Sequence, residues 1–142
     1  MKLIFSTLLL IFSFTLIAQS NAFVGDYNRI INTTVNDILD YKLSLHQDGT
    51  FVFHYYSNIK QGIPTEVNKY GKGKWIAKDN VITFSCNKQD DFDEKYTLDF
   101  NNSKARYVTK NPRDKTDRII KTRLTFLESE IFWIQRLDVF KI

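Results

Sequence analysis

The sequence predicts an all-β protein: an antiparallel meander of eight or nine strands closed into a barrel, with a β-sandwich as the alternative. Three observations predict it. Turn signals (Asp48-Gly49, Asp79-Asn80, Asn101-Asn102-Ser103) fall at short intervals between stretches that alternate apolar and polar residues, the pattern of consecutive strands. Aromatic residues make up 15% of the chain, with 12 Phe and 7 Tyr, and such side chains suit a half-buried pleated surface. Only residues 34–40 and 90–95 suit even one helical turn, so successive strands lack a helical crossover and run antiparallel. Aromatics on one face of nearly every strand need a shared interior; closing the sheet supplies it and removes the exposed edges.

Residues 1–22 read as a secretory signal peptide and residues 23–142 as one β-barrel domain. Lys2 gives a positive start, Leu3 to Ile17 is an apolar run, and Ser20 and Ala22 suit a cut before Phe23. The run of 15 residues is shorter than the roughly 18 a spanning helix needs. An uncleaved anchor is the competing reading, and with no Cys near the cut a lipid anchor is not expected. The expected address is therefore periplasmic or extracellular, with no transmembrane segment in the mature chain. Cys86 is the single cysteine, so no internal disulfide forms and packing alone must hold the domain.

The elements follow in order. A first strand is expected near Phe23 to Ile30. In LSLHQDGTFVFHYYS, a three-residue loop Gln47-Asp48-Gly49 pairs Leu45 with Phe51, Leu43 with Phe53 and Tyr41 with Tyr55, putting the apolar residues of both strands on one face. It also places Gly49 where a type I turn plus bulge needs a left-handed residue. In GKGKWIAKDNVITFSC, a two-residue Asp79-Asn80 loop pairs Ala77 with Ile82, Trp75 with Phe84 and Gly73 with Cys86. Gly71 and Gly73 within that strand imply room for close packing or a bend. Tyr96, Leu98 and Phe100 alternate as a further strand, followed by Ala105 to Thr109. A final hairpin, Ile120–Phe126 with Ile131–Val139, turns over residues 127–130. Its last strand is apolar on both sides: Ile131, Trp133, Leu137 and Val139 on one, Phe132, Ile134, Phe140 and Ile142 on the other. Such a strand is covered on both sides, here by the N-terminal segment or residues 33–40, with another chain as the alternative.

The residues also narrow the chemistry. His46 and His54 share a side of the first hairpin but lie about 13 Å apart at strand rise, and no Cys-x-x-Cys spacing exists, so no metal site and no cofactor are expected. Cys86 on an inward face reads as a small buried hydrophobe. There is no Gly-x-Ser-x-Gly elbow or phosphate-cradling glycine loop, and no catalytic residue stands out. The acidic run Asp90-Asp91-Phe92-Asp93-Glu94 lacks the spacing of a calcium loop. Net charge is +4. Residues 104–123 carry eight basic residues against Asp114 and Asp117, a net of +6. A solvated strand pair accounts for that strip, with an anionic surface as the functional alternative; an exported address argues against nucleic acid.

Leu43-x-Leu45-x-x-Asp48-Gly49-Thr50-Phe51, Gly73-Lys74-Trp75 and Asn80-Val81-Ile82-Thr83-Phe84 together resemble the small exported lipocalin-like domains of bacteria, and are similar to the N-terminal barrel of the NlpE type of envelope lipoprotein. Gly25-Asp26-Tyr27 resembles the Gly-x-Trp of the first lipocalin strand. The resemblance implies a basic residue on the last strand covering that aromatic, with Arg136 the nearest match, and a mouth where small apolar ligands bind. The lipobox Cys and the Cys-x-x-Cys of the NlpE type are missing, so membrane anchoring and metal or redox sensing are not implied.

The functional expectation is an exported, non-catalytic barrel holding a small apolar or amphipathic ligand, because eight strands enclose just enough space for side chains or for one small molecule. The expected ligand-binding residues are Phe53, Tyr55, Trp75, Phe84, Phe126 and Trp133, whose bulk could equally fill the interior. The alternative is an envelope protein-interaction module, or an inhibitor, acting through the basic stretch and the outer apolar residues Phe132 and Ile134.

Overall fold

A computed structural model describes residues 21–142; the expected leader lies outside the described residues except for Asn21 and Ala22. Eight strands run in chain order: β1 (Gly25–Asn32), β2 (Ile38–Leu45), β3 (Thr50–Asn58), β4 (Glu66–Lys78), β5 (Val81–Ser85), β6 (Lys104–Val108), β7 (Arg123–Glu128) and β8 (Asp138–Lys141). Each pairs antiparallel with the next, and β8 pairs back onto β1 through Tyr27–Lys141 and Asn28–Phe140, so the meander closes into a barrel. A sandwich is thereby excluded. Residues 34–40 and 90–95 form no helix, and β2 already begins at Ile38.

Both hairpin registers follow from turn chemistry plus alternation. Leu45–Phe51, Leu43–Phe53 and Tyr41–Tyr55 are partners, all six side chains face the interior, and Gly49 takes φ +85°. Asp48 anchors that turn by accepting from the Thr50 N–H at 2.9 Å and the Thr50 hydroxyl at 2.6 Å. These bonds hold the Asp48 carboxyl below its usual range. Asp79 and Asn80 both adopt positive φ, the two-residue turn whose twist matches its strands, and Trp75–Phe84 and Ala77–Ile82 pair across it. That ladder stops at Lys74–Ser85, so Gly73 and Cys86 are neighbours without being ladder partners.

Three expectations fail for identifiable reasons. Tyr96, Leu98 and Phe100 do alternate, but they form no strand of the barrel. β5 pairs only with residues 74–78 of β4, which leaves the lower edge of β4 open. The Tyr70 carbonyl there accepts the N–H groups of Thr97 and Leu98 at 3.1 and 3.0 Å. From that anchor Leu98 and Phe100 drop into the barrel. Gly71 makes this possible: a Cβ there would lie 2.6 Å from the Phe100 ring, so any other residue would force that ring to shift.

Residues 131–137 are likewise no strand. Phe132–Ile134 form a 3₁₀ turn, closed by the Ile134 N–H donating to the Ile131 carbonyl at 3.1 Å. Arg136 at φ +62° then redirects the chain into β8. The turn puts Ile134 fully inside, contrary to its expected outward position, while Phe132 remains 81% exposed. No two-faced strand therefore needs a cover; the outer face of Phe140 meets the Arg29 guanidinium at 5.3 Å. Finally, the cation over the first-strand aromatic is Lys141 and not Arg136. Lys141 Nζ lies 5.9 Å from the Tyr27 ring centroid and donates to the Ala22 carbonyl at 2.9 Å.

Candidate functional site

The six expected ligand-binding residues do not form one lining; they fall into three layers. Phe53, Phe84 and Phe126 are buried at mid-height around Phe100, whose ring centroid lies 5.0, 5.9 and 6.5 Å from theirs. Phe51 adds a fourth contact at 5.2 Å. These rings meet mostly tilted or edge to face, the arrangements their quadrupoles favour, and they fill the centre of the barrel.

Tyr55 and Trp133 belong to one end of the barrel, where residues 33–37, 59–65, 86–103 and 129–137 connect the strands. Their rings lie 4.8 Å apart, Tyr41 sits 5.1 Å from Tyr55, and Lys69 Nζ stands 5.8 Å over the Trp133 ring. Burial raises the Tyr41 phenol, with Tyr55 adding to the shift. Buried hydroxyls of Ser103 and Ser129 meet at 2.8 Å, and Asn101 brackets the Cys86 peptide, accepting from its N–H at 2.8 Å and donating to its carbonyl at 3.1 Å. These bonds tie the connections together across this end.

Trp75 lies at the opposite end and lines a groove of about 620 Å³. The groove arises from an offset between strands. β3 begins at Thr50 opposite Lys74, so the β4–β5 hairpin overshoots β3 by the residues beyond Lys74. The last backbone bond there runs from the Trp75 N–H to the Gly49 carbonyl at 2.8 Å. Trp75 Nε1 donates to the His46 carbonyl at 3.1 Å, which fixes the indole. Phe23 forms the second aromatic wall, 6.5 Å from Trp75 and 4.9 Å from Tyr107, both edge on. Its carbonyl accepts from the buried Tyr27 hydroxyl at 2.6 Å, and burial pushes the Tyr27 phenol far above its ordinary value. Ala77 and Gly49 complete the apolar surface; Gln47, Lys78, Asp79 and Asn80 ring the opening.

Sequence reasoning found Trp75 and missed Phe23, Gln47 and Ala77. Alternation alone places Phe23 in the first strand, whereas it precedes Gly25 and is buried beside Trp75 and Tyr107. The overshoot depends on the register between β3 and β4, which residues 59–65 conceal.

An apolar cleft of this size with a few polar groups at its rim can hold the body of a small molecule and orient one polar end. The histidines are placed as expected, with His54 opposite Lys42 and His46 at the turn. His54 stacks on Tyr70 at 4.3 Å and bonds Asn68 at 2.8 Å on the outer surface. No cluster of three or more His, Cys, Asp or Glu side chains comes together among the described residues. Cys86 is half-buried, its thiol donates to the Lys72 carbonyl at 3.2 Å, and burial raises its pKa. Among the described residues no helix is long and apolar enough to cross a membrane. Compared with known proteins, the chain matches no family model, no curated protein and no solved structure.

Proposed function

We propose that this chain is an exported, non-catalytic barrel that holds a small apolar or amphipathic molecule in the groove beside Trp75. Export is supported by Lys2, the apolar run to Ile17 and the small residues before Phe23. Kinship with lipocalin-like domains, the NlpE type included, is supported by Tyr27 in the Gly-x-Trp position under the Lys141 cation.

The observation that carries the ligand reading is the groove itself. Its volume of about 620 Å³ lies within the range of small-molecule sites, roughly 300–1,000 Å³, and the edges of the largely buried Trp75 and Phe23 rings contribute to its lining. Phe53, Phe84 and Phe126 would contribute only if Phe100 withdrew; Tyr55 and Trp133 would serve a ligand entering from the other end.

The test uses the two tryptophans, one at each end. In Trp133→Phe, Trp75 becomes the only indole. Titration with a medium-chain fatty acid is expected to shift its emission, and Ala77→Arg, which fills the groove from an edge position, is expected to abolish the shift while the fold is retained. No emission change, together with a bare mass in native mass spectrometry, overturns the reading.

A second reading, an envelope interaction module, has one observation in its favour: Phe132 projects into solvent from the 3₁₀ turn. Loss of a dimer or a bound envelope protein on Phe132→Asp would favour it.

A further inference from the structure

We propose that the outer wall formed by β4 to β7, with the 109–122 loop, docks onto an anionic lipid bilayer. Closing the barrel gathers cations that are scattered in sequence. Lys74 and Lys78 on β4 face outward, alternating with the inward Trp75 and Ala77. The register carries this surface sideways, from Ile76 through Thr83 to Lys104 and from Val81 through Arg106 to Thr125. Beyond β6 the loop adds Lys110, Arg113, Lys115, Arg118 and Lys121 against Asp114 and Asp117, a net of +3.

The wall is only partly self-neutralised. Lys104 pairs with Glu128, Arg118 with Asp114 and Arg123 with Asp138. The two other ion pairs among the described residues lie elsewhere, at Lys42–Asp40 and Lys72–Asp93. Lys74, Lys78, Arg106 and Lys121 therefore have no carboxylate partner among the described residues. The opposite wall differs: outward Asp26 and Asp40 on β1 and β2 are met by the Ser44 hydroxyl and Lys42.

Charge alone would suit any polyanion. The choice of a bilayer rests on two aliphatic side chains set among these cations. Ile119, 91% exposed, follows Arg118 and precedes Lys121 by two residues. Ile76, 71% exposed, stands between Lys74 and Lys78 and forms the outer lip of the groove. A soluble polyanion gains little from exposed isoleucine, whereas a membrane surface takes cations at its phosphates and aliphatic carbon just beneath them.

Cosedimentation tests this with the full chain, on vesicles of phosphatidylcholine alone and vesicles containing phosphatidylglycerol. Every protein compared carries the same residues 1–22, whose Lys2 also favours anionic lipid, so the readout is each variant's anionic-to-neutral ratio against that of the wild type. The expected partition is at least about fivefold higher on the anionic vesicles and is largely lost at high salt. Ile119→Ser is expected to lower it about threefold, with retention on immobilised dextran sulfate unchanged. Arg106→Glu is expected to lower both. Equal partition to the two vesicles overturns the proposal. An Ile119→Ser protein that binds anionic vesicles like the wild type also overturns it, and assigns the wall to a soluble polyanion instead.

Discussion

The two ends of the barrel are finished differently. At one end the β2–β3 and β4–β5 hairpins turn within two or three residues, the polar 109–122 connection buries none of its side chains, and closure falls to Phe23, arriving from before β1. At the other, residues 86–103 and 129–137 fold back over the opening and bring Phe100, Trp133 and Ile134 with them. Tight hairpins carry no spare apolar side chains, so a small mismatch in strand length, here β4 outrunning β3, persists as a concavity. The 86–103 and 129–137 connections bring their own apolar side chains and fill what they cover, whereas the polar 109–122 connection does not. The filled end is therefore expected to carry more of the stability, and the proposed ligand belongs to the open one.

Phe100 is where that contrast breaks most visibly. Phe100→Ala is expected to cost about 3–5 kcal/mol, because a buried ring with four aromatic neighbours leaves a cavity that a closed sheet collapses only in part. Gly71→Ala attacks the same contact from the other side and is expected to cost about 1–3 kcal/mol by overpacking. Phe100→Leu should recover part of that loss, since the two residues touch and their effects couple. Urea denaturation of the single and double variants measures both. A loss below about 1 kcal/mol for Phe100→Ala would mean that the filled end is not the stabilising one.

Tyr27 sharpens the comparison at the grooved end. Tyr27→Phe removes a buried hydrogen bond to the Phe23 carbonyl and is expected to cost about 1 kcal/mol at neutral pH. Because the folded barrel disfavours the phenolate, Tyr27's contribution is whole below the ordinary value of 10.0 and is lost as pH climbs towards its raised pKa. Wild-type stability should therefore fall above about pH 10, and Tyr27→Phe should fall less steeply. Tyrosinate absorbance followed alongside unfolding checks this; parallel pH profiles would remove Tyr27 as the cause.

The smallest effect belongs to Phe132. Although it neighbours the stopper Trp133, its exposure predicts that Phe132→Asp changes stability by no more than about 0.5 kcal/mol. A cooperative loss well beyond that would show that the 3₁₀ turn buries this ring after all.

Legibility in the sequence followed over-determination. The hairpins at 46–49 and 79–80 were readable to the residue because two signals agreed: a turn that admits one or two conformations, and alternation on both flanking strands. Tyr96 to Phe100 carried only the second signal. Alternation correctly turned Leu98 and Phe100 inward, but it could not show that a single carbonyl, Tyr70, was all the sheet offered them. Ile131-Phe132-Trp133-Ile134 carried neither. An unbroken apolar run suits a two-faced strand and a tight helical turn equally, and the positive φ at Arg136 leaves no mark in composition. The groove was the least readable feature, since it comes from an offset between non-adjacent turns and not from any run of residues. Of its walls, Trp75 alone was found.

The closing seam has a consequence of its own. β8 is four residues long and is held by two residue pairs to β1 and three to β7, while β2 and β3 share eight. In a cylinder so unevenly zipped, breathing starts at its thinnest stave. Amide protons of Asp138–Lys141 should exchange first, and the same opening leaves two raw strand edges facing each other across a gap of one strand's width. A second copy's C-terminal strand fits that gap as well as the molecule's own, which makes crowded, warmed solutions the setting in which this barrel would begin trading staves.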